Sequence, residues 1–330
     1  MKGILLIAIV IFFSACQPNK KQEFVFQGEA QGTSYTVKYI NNQELISLKS
    51  SIDSLLLAID NSMSTYKPSS RISALNKGEK IEMDKMFQTV FQRSIEINKA
   101  TDGAFDPTIG PLISAWGFNF ENPMHLDSLK VDSLKNLCGF DKFEVNQTSL
   151  MKVNSNASLN FNAIAQGYSV DLMAEVLEIY RIDNFYVELG GELKVKGKNK
   201  DGVYWRIGID KPVDENLEHE LSHIISLNNK AMATSGNYRK FYEINGEKYS
   251  HTLSPKTGYP VKHKLLSATV IAEDCIDADA YGTSFMVLGL EKSKEILKLH
   301  PELQAVLIYA VGDSLKSYYS DAIAKQIVEL

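Results

Sequence analysis

Strand and helix patterns follow one another along this chain with no linker between them after residue 23. Apolar and polar residues alternate from Phe24 to Ile40, which predicts a strand pair. Helical spacing follows from Leu45 to Ile59 and again from Asp84 to Ala100. No repeat or low-complexity tract interrupts the 330 residues. The order predicts one compact α+β unit with mixed sheets and flanking helices, and two lobes around a cleft are the alternative.

The second half of the chain also alternates predicted helices and strands. Helices are expected from Ala163 to Tyr180, near Asp277 to Leu288 and near Glu291 to Leu299. Asn245-Gly246, between Phe241 to Ile244 and Glu247 to Ser250, predicts a hairpin. Thr101 to Gly117 combines three glycines and two prolines with large apolar residues, which indicates an ordered loop of the kind that binds ligands.

The N-terminus has the layout of an export signal. An apolar run from Ile4 to Phe13 follows Lys2, and small residues precede Cys16. The run is too short to span a bilayer. The pattern resembles a lipoprotein signal and predicts a signal peptide at 1–15, a lipidated Cys16 with a polar tether at 16–23, and a folded domain at 24–330. An ordinary cleaved signal is the alternative.

Composition excludes some partners. The net charge is −5, and Lys and Arg are dispersed, so no nucleic acid is expected. Cys138 and Cys275 are the other cysteines, too few for a disulfide framework, and the sequence leaves their pairing open.

Three groups of residues are candidates for chemistry. Asp279 and Thr283 lie one helical turn apart and offer hard oxygen ligands for Mg²⁺ or Ca²⁺, although a cap and a solvated residue would have the same spacing. The helix start at Asn162 to Tyr168 suits a phosphate, and close packing is the alternative. His251 precedes a Pro/Gly turn and suits a general base, with a structural histidine as the alternative.

His219 to His223 matches the His-Glu-x-x-His zinc pattern, but its surroundings predict a strand. Four residues of extended chain span about 13 Å, too far for both rings to bind one zinc. No nucleophile elbow, Walker loop or dinucleotide-binding glycine motif is present.

Several blocks together resemble the ApbE-type FAD:protein FMN transferase family. The blocks are Gly32-Thr33, Met63 to Tyr66, Thr101 to Pro107, Trp116 to Phe118, Ala163 to Asp171, Glu188 to Gly191, Thr234 to Tyr238, Ser250 to Thr252 and Ala278 to Ala280. The resemblance implies a T-fold-related unit that moves FMN from FAD to a threonine hydroxyl of an exported flavoprotein, with release of AMP.

The resemblance also implies the site. Asp279, Thr283 and the carbonyl of Ala163 would hold Mg²⁺, and His251 would be the base. FAD, the substrate, would contact Gln31, Tyr66, Ala104, Phe105, Asp106, Asn160, Gln166 and Leu253. Tyr66 and Phe105 would offer flat apolar surface to the rings, and Asp106 would accept from a sugar or ribityl hydroxyl.

The chain departs from the family pattern in two places. Asn160 and Gln166 stand where the family commonly has Asp and Lys flanking the helix start. Ser254 stands where an aspartate often follows the histidine block. Two alternatives therefore stay open: hydrolysis of FAD to FMN and AMP, or FAD binding without turnover. The family precedent implies an electron-transfer subunit as acceptor and a periplasm-facing position on a bacterial membrane, expected to be the inner membrane, through lipid on Cys16.

Overall fold

The computed structural model describes residues 21–117, 126–213, 220–237, 241–244, 247–250, 252–312 and 314–328. Eight helices lie in these ranges: α1 (Ile46–Met63), α2 (Arg71–Lys77), α3 (Lys85–Ala100), α4 (Gly110–Ala115), α5 (Ser128–Lys135), α6 (Ala165–Ile179), α7 (Cys275–Leu288) and α8 (Leu290–Leu299). The strands of the first half are β1 (Gln22–Ala30), β2 (Thr33–Asn41), β3 (Ile81–Glu82), β4 (Phe143–Asn146) and β5 (Ser149–Lys152). The remaining strands are β6 (Phe185–Leu189), β7 (Glu192–Lys196), β8 (Trp205–Asp210), β9 (Leu221–Leu227), β10 (Lys230–Gly236), β11 (Phe241–Ile244), β12 (Glu247–Ser250), β13 (Leu265–Ala272), β14 (Gln304–Val311), β15 (Ser314–Tyr319) and β16 (Ile327–Val328).

An eight-stranded sheet organises the molecule, in the order β1-β2-β6-β7-β10-β13-β14-β15. Its neighbouring strands are all antiparallel. Strands β8, β9 and β16 form a second sheet, β3, β5 and β4 a third, and β11 with β12 the predicted hairpin. The turn residues Asn245 and Gly246 lie outside the described part.

The large sheet is covered on both faces. On β14, Ala305 and Leu307 belong to the core shared with the helices, whereas Val306 and Ile308 pack with Trp205 and other residues of the second sheet. Successive side chains of a strand point to opposite faces, so this alternation places helices on one side and the small sheet on the other. The result is a single α+β unit in three layers.

A smaller cluster lies beside these layers. Leu112, Trp116, Val131 and Leu253 pack together around α4 and α5. Thr101 to Gly117 is therefore ordered, as expected, but it contains the short helix α4, with proline in its first turn. The Trp116 indole N–H donates to the Gly258 carbonyl at 2.9 Å and ties this cluster to the 252–260 segment.

The described residues settle several minor expectations. His223 lies in strand β9, so the strand interpretation of the His-Glu-x-x-His pattern is confirmed there, while His219 lies outside the described ranges. Cys138 and Cys275 are both free thiols. Among the described helices, none is both long enough and apolar enough to cross a bilayer.

Candidate active site

The first turn of α6 packs directly against α7 at Gly167. A Cβ added to Gly167 would lie 2.3 Å from the carbonyl oxygen of Cys275 and 2.7 Å from the Cβ of Asp279. Any side chain would therefore separate the two helices. The Gly167 N–H donates to Asp279 Oδ2 at 3.0 Å. If the helix extended further toward its N-terminus, the Gly167 N–H would bond the carbonyl of Ala163. Here it donates to α7 instead.

Asp279 is a buried carboxylate with little compensation. Its residue is 5% exposed, and burial raises its pKa to about 7 while the Gly167 N–H acts in the opposite direction. Glu192 at the start of β7 lies near it. Burial and the Asp279 charge both raise the pKa of Glu192. The site thus places two acidic groups where water does not screen their repulsion.

Thr283 follows Asp279 by one turn of α7. Its Oγ1 lies 3.4 Å from Ser235 Oγ on β10. Within the described residues no set of three His, Cys, Asp or Glu side chains is placed to hold a metal, so a cation here needs hydroxyl or carbonyl oxygens as well. Of the three residues expected to bind Mg²⁺, Ala163 lies just before α6, and Asp279 and Thr283 lie on α7; their oxygens suit a hard cation.

A buried carboxylate fixes α7 against α6 and β7. Asp171 accepts from the N–H groups of Cys275 and Ile276, each at 2.9 Å, and so caps the helix that carries Asp279. Lys194 donates to Asp171 at 2.9 Å and to Asp274 at 2.8 Å. These contacts hold the start of α7 in position.

A second anchor joins α7 to α3. The Arg93 guanidinium forms a bidentate pair with the carboxylate of Asp277, at 2.6 and 2.7 Å. Bidentate pairs define orientation as well as distance. The helix bearing Asp279 and Thr283 is therefore held from two sides.

Two of the expected FAD contacts lie at the start of α6. Gln31 is in the turn between β1 and β2, with φ of 53°, and its side-chain amide donates to Ser169 Oγ at 2.7 Å. Gln166 reaches the Gly190 turn, where an added Cβ would lie 2.8 Å from its Nε2. Both amides therefore border the same end of the helix.

Tyr66, Asn160 and their neighbour Asn162 form a polar group beside it. The Asn162 amide donates to the Tyr66 hydroxyl at 3.2 Å, and Asn160 Oδ1 accepts from the Asn162 N–H at 2.8 Å. Tyr66 is 62% exposed, so its ring is accessible to a planar ligand.

The 104–106 segment is more enclosed than expected. Phe105 is only 3% exposed and belongs to the main core, so in this structure its ring does not offer the stacking surface that the sequence suggested. Asp106 accepts from the N–H and hydroxyl of Thr108, and burial raises its pKa. Ala104 is likewise buried.

The segment after His251 lies against the same loops. Lys256 forms an ion pair with Asp102, and Leu253 is buried against α4 and α5. A cleft of about 690 Å³ opens nearby, and Trp116 and Tyr259 are among the residues that line it. It does not include the Asp279 site. His251 itself, the expected base, lies outside the described residues.

The sequence belongs with a known group of proteins. Residues 31–307 match the model of the ApbE family. The chain belongs to the ApbE family. A FAD:protein FMN transferase from Haemophilus influenzae is 33% identical over 339 residues, covering 98% of this chain and 97% of that protein. The protein of the same name from Escherichia coli K12 is also 33% identical and covers 96% and 95%.

Solved structures of ApbE proteins have the same fold. Flavin transferase ApbE from Vibrio cholerae superposes with a TM-score of 0.83 at 31% identity, covering 93% of this chain and 100% of that one. The apo flavinyl transferase ApbE from Pseudomonas stutzeri gives 0.84 at 30% identity, with 93% and 97% covered. The expected family and α+β fold are confirmed.

Two site residues of this ApbE chain escaped the sequence analysis. Asp171 was visible only as the end of the Ala163 to Asp171 block, and Glu192 directly follows the Glu188 to Gly191 block. The sequence signal for Glu192 is a carboxylate directly after two glycines. In the structure these glycines have φ of 64° and 108°. Neither position reveals a role until α7 is placed against β7.

Proposed function

We propose that this chain is an FAD:protein FMN transferase that moves FMN from FAD to a threonine hydroxyl of an exported flavoprotein. The observation that carries the proposal is the buried Asp279, held against the start of α6 by Gly167, in a chain of the ApbE family. A buried, poorly compensated carboxylate at a helix start is suited to a cation and the phosphates it accompanies.

Asp279, Thr283 and the carbonyl of Ala163 would hold Mg²⁺. A bound Mg²⁺ supplies neutralisation of the pyrophosphate oxygens during phosphoryl transfer. Tyr66 would offer its ring to FAD, and the amides of Gln31, Asn160 and Gln166 would bind the nucleotide. Leu253 and the segment from Ala104 to Asp106 would supply the remaining contacts.

The reaction balances as one phosphoryl transfer. The threonine oxygen of the acceptor bonds to the phosphorus of the FMN half, and the pyrophosphate bond to AMP breaks. His251 takes the hydroxyl proton, and AMP leaves with the bridging oxygen. Water in place of threonine would give FMN and AMP, which is the hydrolase alternative.

The N-terminal pattern supports export. We infer that Cys16 carries lipid and holds the enzyme at a bacterial membrane, facing the periplasm, with the inner membrane as its site. The acceptor is then an exported electron-transfer subunit.

One experiment separates the three activities. The full chain in detergent is incubated with FAD, Mg²⁺ and a flavoprotein domain that bears a target threonine. Intact mass measures bound FMN, and chromatography measures AMP. We expect an FMN adduct with equimolar AMP. Loss of a general base lowers the rate about 10²- to 10⁴-fold, so His251→Ala should show that loss.

His223→Ala is the matched control, because His223 lies on β9 of the second sheet and contacts Tyr319 on β15, away from α6 and α7. It should retain the wild-type rate. AMP without an adduct would favour the hydrolase, and FAD binding with neither product would favour a binding protein.

A further inference from the structure

Glu192 faces the helices and not the second sheet. On β7, Leu193 and Val195 pack with the second sheet, whereas Lys194 bonds to Asp171 on α6. Alternate residues of a strand share a face, so Glu192 points to the same side as Lys194. That side carries α6 and α7, including Asp279.

The carboxylate of Glu192 has a buried oxygen without a hydrogen-bond partner. Part of the residue is accessible, but Oε2 is fully covered, and no described group donates to it or accepts from it. Oε2 lies beside the Gly190 turn, 3.4 Å from the point where a Cβ would be and where Gln166 Nε2 also approaches. Leaving a buried acceptor without a partner destabilises the fold, and more so when the group is charged.

The charged groups around Glu192 increase this cost. Asp279 on α7 and Glu188 on β6 both act on it with negative charge. Lys194 is engaged with Asp171 and Asp274. Within the described residues no Lys, Arg or His forms an ion pair with Glu192 or Asp279. Glu188 differs, because its Oε1 accepts from the Gly191 N–H at 2.8 Å.

A protonated Glu192 would be the purely structural solution. A hydroxyl at Oε2 would need an acceptor, and Oε2 has no partner among the described groups. A divalent cation satisfies both carboxylates at once, since carboxylate oxygens are its preferred ligands.

We propose that Glu192 is a second carboxylate of the cation site, acting with Asp279 on one divalent ion. The proposal rests on the cation site of the proposed function and adds to it a group from β7, on the sheet side of the α6–α7 contact. Glu192 then holds the ion either directly or through a bound water, and it ties ion binding to the Gly190 turn.

The test measures ion binding without FAD. Mn²⁺ is titrated into the full chain in detergent, and free Mn²⁺ is followed by electron paramagnetic resonance. Loss of a group that supports a bound metal typically weakens affinity about 10- to 100-fold. Glu192→Gln should do so, and Glu188→Gln, the control four residues away with its own backbone partner, should remain within about 2-fold of the wild type.

Thermal unfolding in EDTA provides a readout that a structural role would not produce. Glu192→Gln should raise the melting temperature in EDTA, because it replaces an acidic group, buried without a partner at Oε2 next to Asp279, with a neutral amide, and it should reduce the increase that Mn²⁺ causes. Gln166→Lys is a second variant that places a positive charge beside the same carboxylate. It should also raise the melting temperature in EDTA and weaken Mn²⁺ binding.

Asp279→Asn tests the cation site separately from the role of Glu192. If it abolishes Mn²⁺ binding while Glu192→Gln binds as the wild type does, the cation site stands and the role of Glu192 is rejected. If Asp279→Asn binds Mn²⁺ normally, the proposed cation site itself is rejected. A lower melting temperature of Glu192→Gln in EDTA would show a structural role and also overturn the inference.

Discussion

At the scale of single residues, Asp279 makes the stability of the ion-free protein depend on pH. Its folded-state pKa is about 7, against an ordinary value of 3.8. The folded protein therefore retains a proton that the unfolded chain releases between these values, so rising pH favours unfolding in that window. Above about pH 7 the effect is complete.

We expect urea unfolding in EDTA to show this dependence. Between pH 4.5 and pH 7.5 the wild type should lose about 2–4 kcal/mol of unfolding free energy relative to Asp279→Asn, which has no proton to release. Excess Mg²⁺ should remove most of the difference, because ion binding stabilises the ionised form. Parallel pH curves for the two proteins would contradict the assignment.

The sequence predicted the role of a residue only where its neighbours in the site are also its neighbours along the chain. Asp279 and Thr283 share a helix face by spacing alone, and the Gly167 turn was visible as a helix start. Glu192 was not found, because its relation to Asp279 depends on how β7 meets α7. The burial of Phe105 was likewise hidden, since an aromatic ring in a glycine-rich loop has the same sequence pattern whether it faces a ligand or the core.

At the scale of elements, the cap of α7 by Asp171 should control how well the site is formed. Replacing Asp171 with alanine leaves the N–H groups of Cys275 and Ile276 without their acceptor and removes one partner of Lys194. We expect a loss of about 3 kcal/mol in unfolding free energy, measured by urea denaturation.

Asp274→Ala is the control for that variant, since Asp274 is the exposed partner of the same lysine. It should cost less than about 1 kcal/mol, as surface ion pairs do. Equal losses in both variants would mean that the lysine pair, and not the helix cap, carries the stability.

Helices were more predictable than strands at this scale. The extents of α1, α3 and α6 follow from apolar spacing, and α3 also has a polar cap, Asp84, which accepts from the Phe87 N–H. Strand β13 is buried along nearly its whole length between two layers, so it lacks the alternation that marks a one-sided strand. Helix α4 was missed because glycine and proline at its start suggest a loop.

At the scale of the whole molecule, membrane attachment should depend on one residue. Cys16→Ser removes the thiol that we infer to be lipidated, and nothing in the described fold offers a membrane-spanning helix in its place. We expect the variant to move from the membrane fraction to the soluble periplasmic fraction and to lose incorporation of labelled fatty acid. Unchanged fractionation of the variant would show that attachment does not require Cys16.

The family could be recognised from the sequence, but the arrangement of its blocks in three layers could not. The matching blocks are turns and helix ends that carry special residues, and these can be read one at a time. Their assembly around α6 and α7 requires the antiparallel order of eight strands, and most of those strands pair across long stretches of sequence.

Strand β1 begins at Gln22 and forms an edge of the large sheet. Only six residue steps separate it from Cys16, so a lipid there would restrict the start of the folded body to within about 20 Å of the membrane surface. Encounter with acceptors would then be a lateral, two-dimensional search. Proteins that present their threonine within reach of the tethered domain would be modified, and those that hold it farther from the bilayer would not.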